Sequence, residues 1–205
     1  MIAIVDYGMG NRRSVEKALA HVGAASVVTA DHDLLRAADG LILPGVGAFP
    51  EAMRHIRADG LDEVLTERAG AGIPLLGICL GMQLLFERSD EHEGAEGLGL
   101  APGTVTVLDG DKLPHIGWNR VRFVRDGALT AGFGEGAAFY HVHSFACRPA
   151  DPDDLVGVAE YGEPFASVVE RANVYGVQFH PEKSSGDGLA LLSSFAGICE
   201  RAVAA

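Results

Sequence analysis

Cysteine is scarce in this chain: Cys79, Cys147 and Cys199 are the only three among 205 residues. An odd number at wide spacing, in a chain long enough to bury its own core, argues against a disulfide framework, so each thiol needs its own account. Basic residues are also few. There are 16 Lys and Arg against 28 Asp and Glu, and the net charge of -12 opposes binding to phosphate backbones and anionic membranes. Nucleic acid and membrane are therefore not expected partners. No apolar run is long enough to span a bilayer, and the opening MIAIVDYG has neither a basic leader nor a small-residue cleavage pattern, so a cytoplasmic protein is expected. Internal repeats, low-complexity tracts and long linkers are missing too. With 48% hydrophobic residues, the length suits one domain over residues 1–205.

What the chain does have is alternation. Ile2–Val5 reads as a buried strand, YGMGN supplies turn residues, and Val15, Ala18, Leu19 and Val22 recur at helical spacing. Further strands over Ser26–Thr29, 41–43 and 74–78, with helical segments between them, predict an α/β fold: an open, mainly parallel sheet with helices on both faces. The second half changes character. Residues 104–108, 121–124, 138–145, 165–170 and 174–179 are strand-like with mostly turns between them, which makes the sheet mixed. A last helix is expected from about Leu189, with Leu192, Ala196 and Cys199 on one stripe.

The strand IPLL is followed by Gly77, Ile78, Cys79, Leu80 and Gly81 and then by MQLLFE, a helix-forming run. This is the pattern of a nucleophile elbow with cysteine in place of serine. A sharp strand-to-helix reversal has no room for side chains on either side of the nucleophile, and the first N–H groups of the new helix lie beside the sulfur. Buried cysteine on an apolar strand is common; the paired glycines at the transition are what favour a functional reading. For Cys199, on an apolar helix stripe, and Cys147, among expected loop residues, a structural role is preferred.

A nucleophilic thiol needs a base, and His180 stands out among eight histidines. It follows VYGVQF and is separated from Glu182 by Pro181, so in an extended segment both side chains point one way and the carboxylate orients the imidazole. Pro181 restricts His180 to extended geometry. Cys79, His180 and Glu182 thus read as nucleophile, base and orienter. The turn Pro44, Gly45, Val46, Gly47 ends another parallel strand, where its amides, with that of Leu80, can form an oxyanion hole in the crevice at the strand carboxyl ends. His141 and His143 share one strand face, a spacing that a metal site also uses. No second paired ligand motif completes such a site, and neither a metal nor another cofactor is expected.

These stretches, the PGVG turn, GICLGMQ and VQFHPEKS in that order, resemble the class I, triad-type glutamine amidotransferases over essentially the whole chain. DYGMGN, GVGAF, PHIGWN and YHVHSF narrow the resemblance to the glutaminase subunits of imidazole glycerol phosphate synthase. The resemblance implies a flavodoxin-like sheet and a reaction in which Cys79 attacks the glutamine amide, His180 serves as base and acid, and Glu182 holds His180. It implies oxyanion amides at Val46 and Leu80, and glutamine contacts from Gly47, Gln83, His143, Ser144 and Phe145. A heterodimeric partner, a (β/α)₈-barrel cyclase that consumes the ammonia, is implied as well, with Asn11, Pro114, Trp118, Asn119, Tyr140 and Lys183 toward it.

Four positions depart from the family pattern: His141 stands where phenylalanine is usual, Phe145 for tyrosine, Arg12 for leucine and Ile116 for methionine. None is a triad position. The alternatives are a glutaminase serving another acceptor, a cysteine peptidase or esterase on a similar sheet, and a catalytically silent binding subunit. PHIGWN argues against the first and the complete triad against the last.

Overall fold

The computed structural model describes residues 1–204. In its first half, strands β1 (Ile2–Val5), β2 (Ser26–Thr29), β3 (Gly40–Gly45) and β4 (Leu75–Cys79) are separated by helices α1 (Arg12–His21), α2 (His32–Ala37), α3 (Phe49–Ala58) and α4 (Leu61–Gly70). A short helix α5 (Leu80–Leu84) leads into β5 (Phe86–Ser89), β6 (Ala95–Glu96), β7 (Ala101–Val107), β8 (His115–Phe123), β9 (Gly136–His143), β10 (Phe145–Pro149), β11 (Leu155–Tyr161), β12 (Glu163–Arg171) and β13 (Val174–Val177). Helix α6 (Ser185–Ala204) follows. The strands form one mixed sheet in the order β2-β1-β3-β4-β13-β12-β10-β7-β5-β6. Its β2-β1-β3-β4-β13 segment is parallel. A side branch runs antiparallel from β12 through β11 and β8 to β9.

The parallel strands are apolar on both faces because both faces are covered. Alternate residues feed two cores: Ile2, Ile4, Ile42, Leu76 and Ile78 pack with Val15 and Leu19 of α1 and with Leu191, Leu192 and Phe195 of α6. Ala3, Val5, Leu41, Leu43 and Leu75 pack instead with α2, α3 and α4. Helix α3 shows how sequence fixes this second layer. Phe49, Ala52, Met53 and Ile56 recur at helical spacing and are all buried, Pro50 occupies the first turn, and the Glu91 carboxylate accepts the Phe49 N–H at 2.8 Å. Truncating Ile56 to alanine in this close-packed layer costs about 2–5 kcal/mol.

Several elements differ from the sequence expectation, each through tertiary contacts. The run MQLLFE does not remain helical, because α5 stops at Leu84 and the carbonyls of Leu84 and Leu85 accept N–H groups from Leu98, Leu100 and Ala101, which recruit Phe86 into β5. Residues 138–145 are two strands rather than one. The chain breaks at Ser144, so that β9 pairs with β8 while β10 pairs with β7 and β12. Cys147 consequently lies buried in a strand, not in a loop. Strand β8 begins six residues before the expected 121, because HIGWNR pairs along β9 with one face open to solvent. Helix α6 starts at Ser185, ahead of Leu189, since Gly188 lets its first turn lie on the Pro181 carbonyl, which an added Cβ would approach to 1.9 Å.

Candidate active site

Strand β4 lies between β3 and β13, in register Gly45 to Cys79 on one side and Val177 to Ile78 on the other. Parallel pairing ends all three strands together, so Cys79, the PGVG turn and the segment after Val177 meet in one crevice. Cys79 has φ 55° and ψ -111°, an uncommon backbone for a residue with a side chain. The reversal into α5 demands it. A Cβ on Gly81 would lie 1.8 Å from the Leu43 carbonyl oxygen, and one on Gly77 would lie 2.5 Å from the Gly81 carbonyl oxygen. The glycines therefore let the chain fold back against β3 and leave the thiol at the strand end.

His180 and Glu182 meet as expected, Nδ1 to Oε1 at 2.9 Å, with side chains only 4% and 1% exposed. The route differs. His180 is extended, but Pro181–Lys183 forms a turn of 3-10 helix, so the pair closes around a turn and not along a straight strand. Asn11 joins them. It occupies the position before α1, where asparagine usually caps the helix with its side chain, yet its Nδ2 donates to Glu182 Oε1 at 3.1 Å instead. The His180 N–H donates to the Tyr140 carbonyl at 2.9 Å, and its carbonyl accepts from Ser184 Oγ at 2.7 Å. Burial pulls the His180 pKa down, but hydrogen bonding and charge from Cys79 and Glu182 outweigh it and raise it to about 10. A positive imidazole beside the sulfur is the arrangement that activates a cysteine nucleophile.

A cleft of about 320 Å³ opens over the thiol, within the range of small-ligand sites, roughly 300–1,000 Å³. Its walls contain Val46, Gly47, Leu80, Gln83, His143, Ser144 and Phe145, together with Cys79, His180, Pro114 and Lys183. The structure thus brings every expected oxyanion and glutamine-contact residue to one cavity. Gly47 has φ 105°, and Tyr7 holds the turn from behind by donating its hydroxyl to the Pro44 carbonyl at 2.8 Å. The N–H of Leu80 opens α5 and so has no partner within the helix. The ring nitrogens of His141 are taken by the Phe139 carbonyl and Ser167 Oγ, and His143 Nδ1 faces the Phe145 carbonyl at 2.9 Å, so these two residues serve a hydrogen-bond network and not a metal.

The residues expected toward a partner divide. Trp118 is 55% exposed and Ile116 60%, on the outer face of β8 beside half-buried Tyr140 of β9. Exposed Pro114 and Lys183 sit at the cleft mouth. Asn11 is engaged with the triad, and Asn119 donates to the Glu160 carbonyl at 2.8 Å. Arg12, one of the departures, forms an ion pair with Asp6.

Three further residues escaped sequence reasoning. Glu91 brings a carboxylate to the cleft wall; its only signal was one acid among several in DEHEG. Gln178 is fully buried, accepts from Gln83 Nε2 at 3.2 Å and directs its own Nε2 toward Cys79 Sγ at 3.8 Å. A polar residue in an otherwise apolar strand end was the clue. His115 lies in the PHIGWN stretch and contacts His143; nothing in its local pattern distinguished it.

Comparison with known proteins identifies the family. The model of the family "Glutamine amidotransferase class-I" matches residues 3–196. The imidazole glycerol phosphate synthase subunit HisH of Bacillus cereus (strain G9842) is 51% identical over 203 residues, covering 98% of this chain and 96% of that one. The same-named subunit of Moorella thermoacetica is 50% identical over 202 residues, with the same coverage. Among solved structures, one described as a glutamine amidotransferase superposes with a TM-score of 0.76 at 18% identity, over 96% of this chain and 100% of that chain. The structure of PurLQS from Thermotoga maritima gives 0.73 at 20% identity, over 96% of this chain and 97% of that chain. These two support the fold alone. By its family match and its half-identical relatives, the chain belongs to the class-I glutamine amidotransferases, in the branch of the imidazole glycerol phosphate synthase subunits HisH.

Proposed function

We propose that the chain is a single glutaminase domain that hydrolyses L-glutamine to glutamate and ammonia, and hands the ammonia to a cyclase subunit making imidazole glycerol phosphate and aminoimidazole carboxamide ribotide. The observation that carries this reading is Cys79 on its strained elbow, with His180 and buried Glu182 beside it at the floor of a small cleft. The sulfur attacks the side-chain amide carbon. Negative charge develops on the amide oxygen, where the N–H groups of Val46 and Leu80 stabilise it. As the tetrahedral adduct collapses, His180 gives a proton to the leaving nitrogen, so that ammonia departs and a glutamyl thioester remains. Water, deprotonated by His180, then attacks the thioester and releases glutamate and the thiol. Glu91 on the cleft wall meets the substrate ammonium.

Ammonia is protonated and lost in bulk water, which favours delivery to a docked acceptor. The outer face of β8 and β9, with Ile116, Trp118 and Tyr140 beside the cleft mouth, is suited to a (β/α)₈-barrel cyclase, since exposed aromatic anchors are enriched at interfaces. The reading places the heterodimer in the cytoplasm. No helix among the described residues is long and apolar enough to cross a membrane.

The test is glutamate and ammonia release from glutamine by the purified chain, alone and with the cyclase and its nucleotide ligand. Activity that depends on the liganded cyclase is expected. Equal activity with and without cyclase points to another acceptor, and no cleavage under either condition overturns the glutaminase reading.

A further inference from the structure

His115 sits at the start of β8, buried, stacked on Tyr161 with ring centroids 4.2 Å apart, and takes no part in the chemistry described above. Its Nδ1 is 3.0 Å from His143 Nε2, and His143 Nδ1 is 2.9 Å from the Phe145 carbonyl oxygen. Burial lowers both pKa values, that of His143 to about 4, so both rings are neutral at physiological pH. A neutral imidazole carries one N–H and one lone pair. The Phe145 carbonyl can only accept, so the proton of His143 lies on Nδ1. Its Nε2 must then accept, and the proton of His115 lies on Nδ1. That leaves His115 Nε2 as an acceptor, and Asn119 Nδ2 approaches it at 3.4 Å while donating to the Glu160 carbonyl. Every proton in the chain is assigned by the one before it.

The far end of the chain is the cleft. The Phe145 carbonyl accepts a second hydrogen bond, from Gln83 Nε2 at 3.1 Å, and the same nitrogen reaches Gln178. We propose that His115 is a positioning residue for glutamine binding: its Nδ1–H satisfies the buried His143 Nε2 lone pair and so, together with the Phe145 carbonyl, secures the His143 tautomer that holds the 143–145 turn and Gln83 in the form lining the cleft. This rests on the glutaminase reading. Without the donor at position 115, the His143 Nε2 lone pair is left buried and unsatisfied; the form with the proton on Nδ1 loses part of its advantage over the form in which two lone pairs oppose one another at Phe145, and the hold on the turn is weakened.

Asparagine and glutamine separate this role from simple packing, because an asparagine amide nitrogen reaches the place of Nδ1 whereas that of glutamine reaches the place of Nε2. In the assembled glutaminase–cyclase enzyme, His115→Leu and His115→Gln are expected to raise KM for glutamine about tenfold, the worth of one unsatisfied buried group, with a smaller change in kcat. His115→Asn is expected to keep KM within about twofold of the wild type because the hydrogen bond survives. Long-range ¹H–¹⁵N spectra of the histidine rings give a reading independent of activity: His143 carries its proton on Nδ1 in the wild type and His115→Asn, and a measurable share shifts to Nε2 in His115→Gln. An unchanged KM in His115→Gln, or a His143 tautomer indifferent to residue 115, overturns the inference. A wild type that cleaves no glutamine overturns the glutaminase reading instead, and the spectra still decide the role of His115.

Discussion

The nucleophile elbow and the wall of groups around it are placed by different means. Cys79 is set by backbone: register with β3 and β13, two glycines without which the reversal into α5 collides with itself, and a left-handed φ at the nucleophile. Strand register also delivers His180 to the crevice, but its orientation and the cleft wall are set by side chains, through Asn11 to Glu182, Ser184 to the His180 carbonyl, and the His115, His143, Phe145 and Gln83 series. Backbone placement is rigid and fails completely when broken. Hydrogen-bond placement fails by degrees, and its failures depend on protonation.

The sharpest way to break the contrast is Gly81→Ala. The added methyl has no space beside the Leu43 carbonyl, so the elbow must move, and a stability loss of about 3 kcal/mol together with loss of glutaminase activity is expected in denaturant titration and assay. A variant with wild-type stability and rate would show that the elbow is less constrained than the contacts indicate. Asn11→Ala should do less. Removing a hydrogen bond to the Glu182 carboxylate loosens the orienter without touching the substrate, so kcat should fall about tenfold with KM for glutamine little changed. A rise in KM alone would place Asn11 outside the catalytic series.

Protonation sharpens the comparison most finely. His141 is held low, at about 3, chiefly by burial and then by neighbouring His143. The unfolded chain therefore binds a proton that the fold refuses, and stability falls as pH drops from about 6.5 toward 3. His180 has the opposite sign. Its raised pKa contributes stability below about 6.5 that disappears as pH rises toward 10. Denaturation midpoints across pH should show both losses, and His141→Phe should reduce the acid loss to the part that His143, held at about 4 by burial, still carries, with the alkaline side unchanged. A parallel change on the alkaline side would contradict this assignment.

The same division governs how much could be read from sequence. Backbone devices leave local marks: β1 and β2 were legible to the residue, and paired glycines around Cys79 announced the elbow. Proline between His180 and Glu182 likewise marked the pair, although the turn that closes it did not show. Networks leave few marks. His115 and Asn11 meet partners 28 and 171 residues away, and no local period records such contacts. Strand β11 was missed because Gly157 and a bulge interrupt its pattern, and β5 because Phe86 follows a helical run that only the 98–101 segment stops.

The central claim is that Cys79, alone among three buried thiols, is the nucleophile. Burial raises Cys147, and raises Cys199 to about 12, which makes both poor competitors. The direct measurement is intact-mass and peptide mapping of the cyclase-bound enzyme after exposure to a glutamine analogue with an electrophilic carbon in place of the amide. One adduct per chain, on Cys79, protected by glutamine and abolished in Cys79→Ala, is the predicted result. Labelling at Cys147 or Cys199, or no glutamine-protected adduct at all, would contradict the account.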